Sequence, residues 1–184
     1  MYEQSVKSVE SLDEEKDVDR LNLIMEPYVD DVLSESYSKE ELEKKKNLTY
    51  NGAWKLKKDD LDESESYHVK IDDEFLMSIH GNSSKLVIGN YRTPAKGAVY
   101  FVGRDSDNQL TCWECDLYKD EDGIKPKISE KVTGSDVSRT VSRVQFAFSK
   151  SPKDNSISII DFGTNPVEVV RSGLEDIVEW ENQE

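Results

Sequence analysis

From about Thr49 the chain falls into short runs rich in Val, Ile, Tyr and Phe, separated by Gly, Asn, Asp and Pro, which is how strands punctuated by turns read. The runs predict strands over residues 50–57, 66–72, 75–80, 84–91, 97–104, 109–118, 124–132, 140–149, 155–162 and 166–170. Several alternate. Tyr67, Val69 and Ile71 interleave with His68, Lys70 and Asp72, and Val144, Phe146 and Phe148 with Arg143, Gln145 and Ala147. A period of two buries one face and wets the other, as antiparallel sheets do. Turn signals at Asp72-Asp73, Gly81-Asn82, Asp105 to Asn108, Asp120 to Gly123 and Lys153 to Asn155 leave only hairpin-sized connections. The pattern predicts a mainly β fold, an antiparallel β-barrel or sandwich of about 8–10 short strands.

The ends follow a different rhythm. Residues 1–16 are polar, include Asp13-Glu14-Glu15 and have no apolar period, so they read as a flexible acidic arm. Over residues 17–46 the spacing becomes helical: Leu21, Met25, Tyr28 or Val29, and Val32 recur every three or four positions, with Pro27 kinking or splitting the segment. Ser38-Lys39-Glu40-Glu41 has the spacing of a capping box and starts another short helix. The β domain then occupies residues 47–170, which makes it separable from the first 46 residues. Residues 171–184 read as an acidic C-terminal helix: Ser172 and Glu175 repeat the capping-box spacing, and Leu174, Ile177 and Val178 form an apolar stripe.

Composition sharpens this outline. At 184 residues the chain suits one domain with appendages. Its 35% apolar and 34% charged residues, with a mean hydropathy of -0.73, place it on the polar side of globular chains. Net charge is -15, of which residues 1–46 carry -7 (14 Asp+Glu, 7 Lys+Arg) and residues 171–184 carry -4 (5 and 1). Such a molecule repels phosphate backbones and anionic membranes, so direct nucleic-acid binding and membrane association are not expected. No apolar run reaches the roughly 18 residues of a membrane span, and no signal-peptide pattern opens the chain. An intracellular protein is expected, cytoplasmic or, in a eukaryote, nuclear.

Gly52-Ala53-Trp54, which follows the short helices and opens the strand array, resembles the Gly-x-Trp of lipocalin-type barrels. The segments after it, Tyr67 to Ile71, Phe75 to Gly81 and Ser84 to Tyr91, are similar in order to lipocalin-like (calycin) β-barrel domains of uncharacterised proteins. The resemblance spans about residues 50–170. It implies a barrel in which Trp54 packs across the floor, and a cavity for a small apolar ligand.

Candidate chemistry is sparse. Cys112-Trp113-Glu114-Cys115 is a C-x-x-C, but it lies within a β run beside Glu114 and Asp116, and negative neighbours raise a thiol pKa. In an extended strand two residues three apart point to opposite faces, which suits neither redox work nor a shared metal. His68 and His80 are not spaced as a metal pair and read as surface or edge-strand residues. No Gly-rich phosphate loop follows a strand. No catalytic, cofactor-binding or metal-ligating residue is therefore expected.

The acidic amphipathic ends carry the most functional information. An apolar stripe flanked by carboxylates can lie in a partner's groove while its charges meet basic side chains. The residues singled out for partner binding are Leu21, Met25, Asp30 and Asp31 in the first segment, and Glu175, Asp176 and Trp180 in the tail. The expected function is non-enzymatic protein interaction: an acidic barrel docking a basic or mixed-charge protein, either as an assembly subunit or as an inhibitor that mimics nucleic acid. The alternative is a lipocalin-like carrier of a small apolar ligand lined by Val69, Ile71, Val87 and Phe146.

Overall fold

A computed structural model describes residues 25–26, 28–29, 32–35, 37–41, 51–81, 83–151 and 155–172. The strands are β1 (Gly52–Leu56), β2 (Ser66–Ile71), β3 (Glu74–His80), β4 (Leu86–Ile88), β5 (Tyr91–Thr93), β6 (Val99–Arg104), β7 (Gln109–Asp120), β8 (Gly123–Asp136), β9 (Phe146–Lys150), β10 (Ile157–Asp161) and β11 (Glu168–Ser172). They form two antiparallel sheets rather than a closed barrel: six strands in the order β1-β10-β9-β6-β7-β8, and five in the order β11-β2-β3-β4-β5. Two sheets bury a shared face without closing on each other when both are amphipathic, which makes the arrangement sandwich-like.

Alternation explains the layers. Tyr67, Val69 and Ile71 of β2 meet Tyr100 and Val102 of β6, Phe146 and Phe148 of β9, and Ile157 and Ile159 of β10 in the inter-sheet core. Tyr100 stacks on Phe148 at a centroid distance of 4.9 Å. The intervening residues Val99, Phe101, Trp113, Ala147 and Ile160 point to the opposite face of the six-stranded sheet. There they meet Met25, Tyr28, Val32 and Leu33, so the first helical segment completes a second core.

Several sequence expectations change here. The run predicted as one strand over 84–91 is a hairpin, because the chain reverses at Gly89-Asn90 and Val87 pairs with Arg92. Gly89 has φ +59, the left-handed geometry that a primed two-residue turn requires at its first central position. The run 140–149 becomes strand only at Phe146. The outer side of β2 is wet only at Lys70, since Ser66 and His68 are both fully buried. His68 is thus not a surface residue: its Nε2 lies 3.1 Å from Ser66 Oγ and its Nδ1 2.7 Å from Ser78 Oγ.

All described residues between 25 and 35 are helical, including those on either side of Pro27. The Ser38 capping box is present. Glu41 N donates to Ser38 Oγ at 3.3 Å, and Ser38 N donates to Glu41 Oε1 at 3.4 Å. Residues 171 and 172, assigned in sequence to a C-terminal helix, are the end of β11, and residues 173–184 lie outside the described residues.

Candidate interaction surface

β7 and β8 are the longest strands, of 12 and 14 residues, and β6 pairs with β7 only from Leu110 to Cys115. Beyond Cys115 the hairpin leaves the sheet as a two-stranded ribbon, and residues 116–120 are all exposed. A lone two-stranded ribbon is marginal in water. This one is held by Lys125 between Asp120 (3.6 Å) and Asp122 (3.5 Å), and by the Lys127 ammonium over the Tyr118 ring at 5.3 Å.

The register defines its faces. Trp113 and Cys115 point into the helix-covered core, so Leu117 and Lys119, two and four residues further on, share that face. Opposite partners share it too: Ile128 pairs with Cys115, Pro126 with Leu117 and Ile124 with Lys119. The apolar stripe that begins under the helix therefore runs outward through Ile128, Leu117, Pro126 and Ile124. Leu117 is 53% exposed and Ile124 69%; with Tyr118 on the other face (38%) they are the exposed large hydrophobics of the described residues.

The outer edge of the ribbon discourages one mode of binding. β8 is the edge strand of its sheet, and Pro126 removes a backbone donor while Lys125 and Lys127 place charge beside it. Proline and lysine on an edge oppose the addition of another strand. What remains for recognition is the side-chain face.

Glu35 ties the helix to the base of the ribbon. Its Oε1 accepts from Trp113 Nε1 at 3.3 Å and pairs with Lys131 Nζ at 3.0 Å, while the Lys131 ammonium lies 5.8 Å from the Trp113 ring centre. A groove of about 690 Å³ is lined by Ser34, Glu35, Tyr118 and Lys125 to Ile128.

Of the residues singled out from sequence, Met25 is 1% exposed and packs in the chain's own helix–sheet core, so its side chain faces the sheet and not a partner. Leu21, Asp30, Asp31, Glu175, Asp176 and Trp180 lie outside the described residues. Val69, Ile71 and Phe146, named as a ligand-cavity lining, belong to the inter-sheet core, and Val87 is buried. Trp54 is partly buried against that core.

Cys112 faces the inter-sheet core and Cys115 the helix-covered core, so the C-x-x-C straddles the sheet. Burial, with Glu114 adding to it, pushes the Cys112 thiol well above its ordinary pKa. Among the described residues no three His, Cys, Asp or Glu side chains are gathered as a metal site, and no helix is long and apolar enough to cross a membrane.

Sequence reasoning missed the ribbon as a surface. The signal was present in the two strands flanking Asp120 to Gly123, where apolar residues persist at every second position into a highly charged stretch. Compared with protein-family models, curated proteins and solved structures, the chain matches none.

Proposed function

We propose that the protein is a non-enzymatic interaction module that docks a basic or mixed-charge protein partner through the helix-side face of the β7–β8 ribbon. The observation that carries this reading is the apolar stripe that leaves the helix–sheet core uncovered, with Leu117 and Ile124 more than half exposed. Burying each of these side chains contributes roughly 1.5–3 kcal/mol, enough for the centre of an interface. The ribbon, residues 116–128, carries four carboxylates (Asp116, Asp120, Glu121 and Asp122) and three lysines (Lys119, Lys125 and Lys127); Lys119 shares the face of the stripe, and Lys125 pairs with Asp120 and Asp122. A complementary partner therefore offers an apolar patch on a basic or mixed-charge surface. The net charge of -15 speeds encounter with such a surface, and the acidic ends, including Asp30, Asp31, Glu175 and Asp176, add to that steering.

The test uses the partner recovered from native lysate and then purified. Leu117→Asp with Ile124→Asp should weaken its affinity by about 100-fold or more, mainly through faster dissociation. Reversing Asp30, Asp31, Glu175 and Asp176 to lysine should slow association and flatten its salt dependence. A ribbon variant that binds as tightly as the wild type would reject the reading.

A further inference from the structure

Three of the chain's six arginines line one open pocket of about 380 Å³, with no lysine among the described lining residues. They are Arg104, Arg139 and Arg143, and the other described lining residues are Tyr37, Glu41, Thr140, Ser142, Thr164 and Asn165. Among the described lining residues a single carboxylate stands against three guanidiniums, so this lining is cationic in a protein whose net charge is -15. Elsewhere the chain supplies positive charge mostly as lysine. Arginine concentrates where a planar fork must meet an oxyanion.

Arg104 is held in place, and the positive charge of the lining is only partly compensated. Arg104, at the end of β6, donates from Nε to the Val141 carbonyl at 2.8 Å and from Nη1 to Asn108 Oδ1 at 2.8 Å. Both acceptors are neutral, so they orient the guanidinium without cancelling it. Neither Arg104 nor Arg139 makes an ion pair among the described residues, whereas Arg143 meets Glu41 at 3.4 Å.

The walls are built as firmly. Gly103 lets the Arg143 carbonyl approach β6 where any Cβ would collide with it. Ser142 N donates to Gln145 Oε1 at 2.8 Å, and Gln145 Nε2 donates to the buried Asp161 carboxylate at 2.8 Å. Thr164 N donates to Ser142 Oγ at 2.9 Å, and Asn165 Nδ2 to the Thr140 carbonyl at 2.9 Å. Because Ser142 Oγ already accepts from an amide, its own proton is available to a further acceptor.

We propose that this pocket binds a phosphate monoester. The two uncompensated guanidiniums match a dianion, the hydroxyls supply neutral donors, and the volume has room for the organic group as well as the phosphoryl oxygens. The phosphate arrives either on a small sugar phosphate or on a phosphorylated side chain. The site is separate from the ribbon and stands or falls independently of it.

The experiment titrates the full chain calorimetrically with inorganic phosphate, ribose 5-phosphate and a short phosphoserine peptide. Saturable binding of at least one ester is expected, tighter than inorganic phosphate and strengthening from pH 5 to pH 7.5 as the monoester, with a second pKa of about 6, gains its second charge. Whichever ester binds more tightly identifies the source. Arg139→Gln, at an exposed residue without an ion pair, keeps the fold and should weaken binding by about tenfold or more. Arg104→Gln should do the same, with its melting curve showing whether the fold survives. Lys96→Gln with Lys150→Gln, in a separate pocket, should leave affinity unchanged. No saturable binding, binding indifferent to pH, or an equal loss in the lysine variant would overturn the proposal.

Discussion

Trp113 sits where the helix, the six-stranded sheet and the base of the ribbon meet. Its indole is 1% exposed and donates to Glu35, with Lys131 over the ring. Trp113→Ala should cost about 3–5 kcal/mol, because the cavity has rigid walls and Glu35 loses a donor. Trp54→Ala, at a partly buried ring, should cost clearly less. Denaturant melts of the two variants decide this, and equal losses would contradict the layer assignment. A second residue-scale prediction concerns pH. Arg171 donates to Glu65 through Nε (2.8 Å) and Nη2 (2.9 Å), which ties β11 to the start of β2 and lowers the Glu65 pKa from 4.5 to about 2. A carboxyl depressed in the folded state stabilises above its unfolded pKa, and that contribution disappears as pH falls through the folded value. Wild type should therefore lose more stability than Glu65→Gln between pH 4.5 and pH 2. Parallel pH profiles in thermal melts would show that the pair contributes nothing, as many solvated pairs do.

At the scale of elements, alternation made most strands legible: nine of the ten predicted runs overlap one strand each, since a half-buried antiparallel strand writes its period into the sequence. The tenth hid a hairpin. Gly89-Asn90 interrupts a run whose flanks, Leu86 to Ile88 and Tyr91 to Thr93, are both strand-like, so hydrophobicity alone reads straight through the turn. The barrel expectation failed for a different reason. Strand pattern gives which residues face inward but not which strands pair, and the pairing of β1 with β10 and of β11 with β2 joins positions about a hundred residues apart. The first helix was legible as amphipathic, yet its destination was not. Met25 on its apolar stripe, read as a partner contact, covers the sheet's own Val99, Phe101 and Trp113 layer. Deleting residues 1–46 should then leave a chain that keeps β circular dichroism but exposes that layer, binds a hydrophobic dye and self-associates. A monomeric, dye-free truncation would return the segment to the status of a separable arm.

Across the whole molecule, opposite chemistries occupy different places. The ribbon offers an apolar stripe among charges of both signs, while the arginine pocket between β6 and the 139–143 and 164–165 segments concentrates positive charge. Charge was countable in the sequence, but its grouping was not, because Arg104 and Arg139 come together only through folding. Docking through the ribbon is tested by placing a photoreactive amino acid at Ile124 and, as a control, at the exposed Glu168 of β11, then irradiating in native cells. One protein should cross-link from position 124 and not from 168. That product should fall with added salt in lysate and vanish when Leu117→Asp is present in the same chain. Cross-linking that is the same from both positions, or that persists with Leu117→Asp, would contradict the claim that this face docks a partner.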